Sequence, residues 1–372
     1  MRIYLVASDL HLSTRNAYIE RFRRGQEPAL TELLETFSHA PTASATVELI
    51  LNGDTFDLLL TPPLLPRRWY TTARDGVAKL QAVLEEHAPV VAALRRFLSA
   101  PGRSLTILPG NHDLELFFPA VRRTLRAAIA PKGASAPAEK VQFCLKSAYR
   151  PFPDVHIEHG DRYDPLNSCR VLIHGDKLHD EERLPLPVGS VLGERVNLAF
   201  ERRGVPVVAS DLPDMLQAGL VALPQLVRTL GTRTALHHRG PHPLASFLRQ
   251  AHGGSLWLSH SLADAAYQLL QRDPGVRLVI MGHTHRTWEG MWGERRYWNT
   301  GAWVTRVWSS QGAQEISYPA FAWLEREPGQ PVTRAYLYQW RDGAPVPFPA
   351  TAFDGRGWKM ASRSWKTTSG VA

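Results

Sequence analysis

Apolar residues in this chain fall into short runs that end abruptly in glycine, aspartate, asparagine or histidine. The first, RIYLVASDLHL, carries Ile3, Leu5 and Val6 and opens into Asp9 and His11. TVELILNGDTFDLL carries Val47, Leu49, Ile50 and Leu51 before Asp54 and Asp57. SLTILPGNHDLE carries Leu105, Ile107 and Leu108 before Gly110, Asn111, His112 and Asp113. DVHIEHGDRYD leads through Val155 and Ile157 to His159, and VRLVIMGHTH through Leu278, Val279 and Ile280 to His283 and His285. Runs of this length, bounded by turn residues, predict buried strands. Between them EPALTELLETFSHA and GVAKLQAVLEEHAPVVAALRRFLSA repeat apolar residues at spacings of three and four, which predicts helices. Strands alternating with helices predict an α/β architecture, in which ligand sites collect at the carboxyl ends of the strands.

The interval between His159 and His283 is far longer than those separating the earlier strand ends, so residues 165–270 are expected to form an insertion. Its stretches LGERVNLAFERRG, LPDMLQAGLVALPQLVRTLG and HPLASFLRQAHGG have helical periodicity broken by proline. They predict a helical cap beside the strand ends, where substrate choice would reside. Within it MLQAGLVALPQLV is apolar enough to lie on a membrane surface or hold a lipid tail, although packing onto the chain's own domain is the simpler expectation. After the fifth strand, RRYWNTGAWVTRVW, YPAFAWLER and TRAYLYQW read as aromatic-rich strands. APKGASAPAEK at 130–140 reads as a loop. From about 344 the chain turns rich in Pro, Gly and Ser, the composition of a mobile tail. The expected division is one domain made of 1–164 and 271–343, a cap at 165–270 and a tail at 344–372.

Charge and cysteine content narrow the setting. The formal net charge is +8, from 43 Lys and Arg against 35 Asp and Glu. This favours an anionic partner, while the dispersal of the basic residues marks out no channel for nucleic acid. Two cysteines are too few for a disulfide framework and point to a reducing compartment, the cytoplasm. The opening reads as a strand rather than a signal peptide, and no apolar stretch reaches the length of a bilayer span. No pattern speaks to oligomeric state.

Asp9, His11, Asp54, Asn111, His159, His283 and His285 are seven candidate metal ligands at five strand ends. Each has an everyday alternative: Asp-x-His after a strand is a common turn, and a lone histidine is commonly structural. Jointly they suit two cations, because ions about 3.5–4 Å apart need a shared carboxylate and further imidazole and amide donors. Asp57 and Asp161 read equally as supports of such a site or as turn residues. His237 and His238 form a pair without carboxylates at ligand spacing, so they, like His174, His179, His242 and His252, suit surface or substrate-contact roles better than a third metal. His260 reads as a buried helix-end residue.

The blocks SDLHLS, NGDTFD, PGNHD, EHGD and GHTH, in this order and spread from about residue 3 to 301, resemble those of the calcineurin-like metallophosphoesterase superfamily. The resemblance implies a four-layer α/β/β/α sandwich, here with the helical cap inserted. It implies two divalent or mixed-valence metal ions, Mn2+ foremost and Fe, Zn or Ni as alternatives. Asp9, His11 and His285 would bind the first ion, Asn111, His159 and His283 the second, and Asp54 would bridge them. His112 would contact the phosphoryl group or act as general acid, oriented by Asp113. The implied activity is hydrolysis of a phosphodiester or phosphomonoester by a hydroxide held between the metals.

The opening block, NGDTFDL and the insertion before GHTHR are also similar to the UDP-2,3-diacylglucosamine pyrophosphohydrolases, which keeps a UDP-sugar or lipid-linked pyrophosphate in view. Those enzymes are much shorter and usually carry Arg where this chain has His112. A nuclease, or an inactive metal-binding scaffold, are further alternatives; a scaffold would be expected to lack one of Asp9, Asp54, Asn111 or His283, and all four are present.

Overall fold

The computed structural model describes residues 1–14, 26–39, 45–59, 61, 70–130, 137–164, 167–168, 178–187, 262–303, 318–327, 334–348, 351–353 and 358–360. Most of the expected cap, its helix-periodic stretches and His237 and His238 lie outside the described residues, as does 131–136 of the expected loop.

The predicted strands are β1 (Arg2–Ala7), β2 (Thr46–Asn52), β4 (Arg103–Leu108), β6 (Val155–Ile157) and β8 (Leu278–Met281). Between them lie the short β3 (Tyr70–Thr72), β5 (Val141–Phe143) and β7 (Arg183–Pro185); after them come β9 (Thr287–Trp292), β10 (Arg295–Thr300), β11 (Ala320–Arg326), β12 (Arg334–Arg341), β13 (Ala344–Pro347), β14 (Thr351–Phe353) and β15 (Trp358–Met360). One sheet has the order β13-β12-β11-β1-β2-β4-β5 and a second the order β15-β14-β9-β10-β8-β6, with β3 and β7 forming a separate pair. β1, β2 and β4 are parallel neighbours in the first sheet, and β6 and β8 in the second. All five therefore deliver their carboxyl ends toward loops on one side of their sheets.

The layering follows from the two-residue period of a strand. Ile3, Leu5, Leu49, Leu51, Leu105 and Ile107 face a core shared with helices α1 (Gln26–His39) and α3 (Ala88–Ser99), through Leu30, Leu33, Phe37, Val90, Leu94 and Phe97. Their neighbours Tyr4, Val6, Ile50 and Leu108 point the other way and meet Val155, Ile157, Leu278, Ile280 and Trp298 of the second sheet. Val279, Met281 and Tyr297 then cover a helical segment at 262–272 through Leu262, Ala263, Ala266 and Leu270. Helix, sheet, sheet, helix is the expected four-layer sandwich. Each such side chain, fully buried, contributes roughly 1.5–3 kcal/mol relative to exposure, so the loops at the strand ends stand on a rigid base.

Two expectations differ in detail. The long helical window divides into α2 (Ala73–Glu86) and α3, broken at His87. Pro89 lacks the N–H that a continuous helix needs, and it occupies the first turn of α3 instead. The segment from 344 supplies strands: β13 pairs with β12, and β14 pairs with β9 and β15. Prolines are compatible with this because β13 is the edge of its sheet, where a missing donor costs no ladder bond. Among the described residues no helix is long and apolar enough to cross a membrane.

Candidate metal centre

The loops after β1, β2 and β4 are stitched to one another by their backbones. Asp9 N–H donates to Gly53 O at 3.1 Å, His11 N–H to Asp54 O at 2.9 Å and Gly53 N–H to Leu108 O at 3.1 Å. Across the sandwich, His283 N–H donates to the Asp9 carboxylate at 3.0 Å, and Gly282 N–H to His159 O at 2.9 Å. Five loops from two sheets thus converge on one point.

The backbone there is strained. Among the described residues the non-glycine residues with positive φ are Asp9, His11, Asp54, His283, His285 and Asp342. Five of these six are candidate ligands. A left-handed non-glycine residue costs on the order of 1–3 kcal/mol and persists where surrounding structure holds it, typically at functional sites. Close approach explains the neighbouring glycines: a Cβ at Gly110 would collide with the Asp54 carboxylate, and one at Gly282 with Asp9 and Ser8.

Besides His11, Asp57 and His112, two groups of donors form among the described residues, each with its atoms within 4.8 Å of one another: Asp9, His11, Asp54 and His285, and then Asp54, His159 and His283. Asp54 belongs to both. Asn111 is buried in the loop between them, and the next residue, His112, donates its backbone N–H to Asp54 Oδ1 at 2.8 Å. All seven sequence-derived ligands are therefore gathered in one place, together with His112.

The donor atoms are arranged for cations. His159 donates Nδ1–H to Asn52 O at 2.9 Å, which leaves Nε2 as the nitrogen with a lone pair. That nitrogen is buried, makes no hydrogen bond, and lies 3.3 Å from Asp54 Oδ2. In the other group His11 Nε2 and His285 Nε2 approach to 3.0 Å. One of these two nitrogens donates to the other unless a cation lies between them, and both then offer it lone pairs. Burial opposes ionisation of Asp54, but the His159, His112 and His11 imidazoles outweigh it and hold the carboxyl well below its usual range. Burial likewise opposes charge on His159, and Asp54 and Asp9 outweigh it, raising the imidazole well above its usual value. Carboxylates, imidazoles and an amide in this arrangement fit a pair of borderline or hard divalent ions.

Carboxylates behind the site orient its histidines. His112 donates Nδ1–H to Asp57 Oδ1 at 2.9 Å, and the other oxygen of Asp57 lies 3.5 Å from His11 Nδ1. Asp113, expected to orient His112, instead accepts backbone N–H groups from Gly110 at 2.7 Å, Thr55 at 2.8 Å and Phe56 at 3.2 Å. The reason is geometric. Adjacent side chains in this turn diverge, so Asp113 turns inward to tie two loops together while Asp57 meets the imidazole. Asp164 was not anticipated: fully buried, it accepts from His283 Nε2–H at 3.2 Å and leaves Nδ1 as the ring's lone-pair nitrogen. The spacing of Asp164 after His159, a carboxylate five residues on in HGDRYD, was the available signal. Asn299 of NTGAW, expected to lie in a strand, has an amide that donates to Gly282 O at 2.7 Å and accepts from Gly301 N–H at 3.0 Å. It fixes the loop that bears His283 and His285. Asp161 is buried at the start of a short 3-10 turn.

Exposure gives the site a direction. Most candidate ligands are almost wholly buried, whereas the side chains of His285 and His112 are 26% and 19% exposed. A substrate therefore meets these two rings first.

The profile of the family described as calcineurin-like phosphoesterase matches residues 4–287. No curated protein matches the sequence. Among solved structures, Vps29 from Entamoeba histolytica in complex with zinc is 12% identical, with 92% of this chain and 96% of that chain covered and a TM-score of 0.32. A dimetal phosphatase from Danio rerio is 13% identical, with 90% and 94% covered and a TM-score of 0.37. A putative 5'-nucleotidase from Staphylococcus aureus is 13% identical, with 92% and 54% covered and a TM-score of 0.37. These structural likenesses are too distant to bear on substrate.

Proposed function

Since the chain belongs to the calcineurin-like phosphoesterase family, whose members are metal-dependent phosphoesterases, we propose that Asp54 bridges two divalent cations in a hydrolytic centre. Asp9, His11 and His285 complete the first site, and Asn111, His159 and His283 the second. The observation that carries this reading is the membership of Asp54 in both donor groups, with the unbonded Nε2 of His159 facing its carboxylate. Cations held by these residues would supply positive charge to the phosphoryl oxygens and a lowered pKa to a water.

The chain's own residues supply the rest. His112, at the open side of the site, gives its Nδ1–H to Asp57. Asp57 stabilises the imidazolium form, so that the opposite nitrogen carries a proton toward the departing oxygen as general acid. Burial of Asp9, His11 and Asp54 keeps competing water away from the donors. A histidine in this role suits an ester with a poor leaving group, and we read the substrate as a phosphomonoester or phosphodiester in preference to a UDP-sugar pyrophosphate.

Of the insertion expected at 165–270, the helix from 262 packs into the sandwich, and the remainder is assigned to a cap that selects the substrate. Its described strand β7 pairs with β3, and Arg183 of β7 lies over the ring of Tyr70 at 4.7 Å, which anchors one edge of the insertion. Mn2+ is the proposed metal and the cytoplasm the proposed compartment. Purified protein loaded with Mn2+ is expected to hydrolyse bis-(p-nitrophenyl) phosphate or p-nitrophenyl phosphate, and Asp54→Ala to hydrolyse neither. Turnover that survives Asp54→Ala would overturn the reading, and the preferred ester would decide between diesterase and phosphatase.

A further inference from the structure

Arg286 follows directly on the candidate ligand His285, so their Cα atoms are about 3.8 Å apart. Its Nε is buried and makes no hydrogen bond, and its side chain has no ion-pair partner among the described residues. Every other described arginine that is not exposed is engaged. Arg95 donates to Ala128 O, Arg103 to Phe37 O, Arg122 to Leu116 O and Arg126 to Val141 O. Arg295 donates to Leu270 O, Arg296 pairs with Glu289, Arg326 covers the Phe152 ring and Arg341 covers the Tyr318 ring. Arg286 is the exception, and it stands beside the most exposed of the candidate ligands.

A half-buried guanidinium with no counter-charge is costly, and the cost rises with further positive charge close by. An anion arriving with the substrate relieves it. The planar donors of a guanidinium match the oxygens of a phosphate or carboxylate. The backbone on either side is fixed: Thr284 N–H donates to Gly282 O at 2.8 Å, and Arg286 N–H donates to Thr284 Oγ1 at 3.3 Å. The backbone of Arg286 is thus fixed directly beside His285.

We propose that Arg286 receives a second anionic group of the substrate, one distinct from the phosphoryl group at the metals. This rests on the phosphoesterase reading above and narrows it. The substrate class is a phosphoester that carries an additional phosphate or carboxylate near the scissile phosphorus, and Arg286 is a specificity residue for it.

The test compares three ligands on Mn2+-loaded protein at buffered free metal: methylphosphonate, phosphonoacetate and methylenediphosphonate. The wild type is expected to bind at least one of the two doubly anionic ligands about tenfold more tightly than methylphosphonate, the size of one charge-assisted hydrogen bond. Which of the two gains identifies the second group as carboxylate or phosphate. Arg286→Gln should erase that preference and leave methylphosphonate binding within about twofold, with Arg286→Lys intermediate. Thermal unfolding supplies an independent readout. Arg286→Gln removes an uncompensated charge, so its midpoint should equal or exceed that of the wild type, whereas loss of a structural arginine would lower it. Equal weakening of all three ligands, or no change in any, overturns the proposal. Failure of loaded wild-type protein to bind any of the three would instead overturn the phosphoesterase reading beneath it.

Discussion

The two halves of the centre are built from the same kinds of residue but supported differently. Around His159 and His283, each ring is tied to its own acceptor, Asn52 O for one and Asp164 for the other, and both rings are nearly inaccessible. Around His11 and His285 the support is shared and more open. One carboxylate, Asp57, faces both His11 and His112, and His285 lies at the surface of the site. Individually anchored ligands favour a rigid, slowly exchanging site. The shared carboxylate links the other half to the residue assigned to proton transfer. On the proposed function, the second half would hold a cation and the first would use one.

The strongest way to break this comparison is to remove what the halves have in common. Asp54→Ala should abolish turnover and lower occupancy of both sites, as read by elemental analysis, because each loses a ligand. Retention of two tightly held metals would show that Asp54 is not shared. Next in size is His112→Ala, expected to lower kcat by about 10²–10⁴-fold on an alkyl ester, the range for a lost general acid. The loss should shrink on a p-nitrophenyl ester, whose leaving group needs no proton; an equal loss on both would reassign His112 to phosphate binding.

Asp164→Asn and Asp57→Asn separate the halves directly, each with an expected cost of about 10–100-fold, as for outer partners of ligating histidines. The Asp164 variant should recover its rate at raised metal concentration. The Asp57 variant should not, because saturating metal does not restore the orientation of His112. Matching metal titrations for the two variants would erase the distinction.

The smallest effect is in pH. In the metal-free protein His159 is raised by Asp54 and Asp9 against burial. A raised histidine stabilises fully below its unfolded value, about 6.5, and that contribution fades above it and is gone once the pH passes the raised value. Metal binding needs the neutral ring, so its stabilisation grows in the opposite direction. Thermal unfolding between pH 6 and 9 should therefore show the metal-free midpoint falling while the increment from Mn2+ rises. Parallel curves would separate His159 from the metal.

The candidate ligands were legible in the sequence because each follows an apolar run, and apolar runs report strands independently of what they pack against. What the sequence hid were contacts between distant segments. His112 has a carboxylate next to it in the chain, Asp113, yet its partner is Asp57, 55 residues earlier. Asp164 meets His283 across 119 residues, and the Asn299 amide reaches back to Gly282 only because β8 and β10 are paired. Composition did not reveal the strands among the described residues from 344, where the prolines of β13 lie at a sheet edge. In the sequence Arg286 stands only as the last residue of GHTHR. Its isolation shows only when the partners of the other arginines are known.

The most direct test of the central claim is electron paramagnetic resonance of protein titrated with Mn2+, read together with turnover of a nitrophenyl phosphoester. Two ions sharing Asp54 should give an exchange-coupled spectrum as the second equivalent binds, with turnover rising in step and both signals absent from Asp54→Ala. Spectra of isolated Mn2+ at two equivalents, or full turnover at one, would contradict a bridged dinuclear centre.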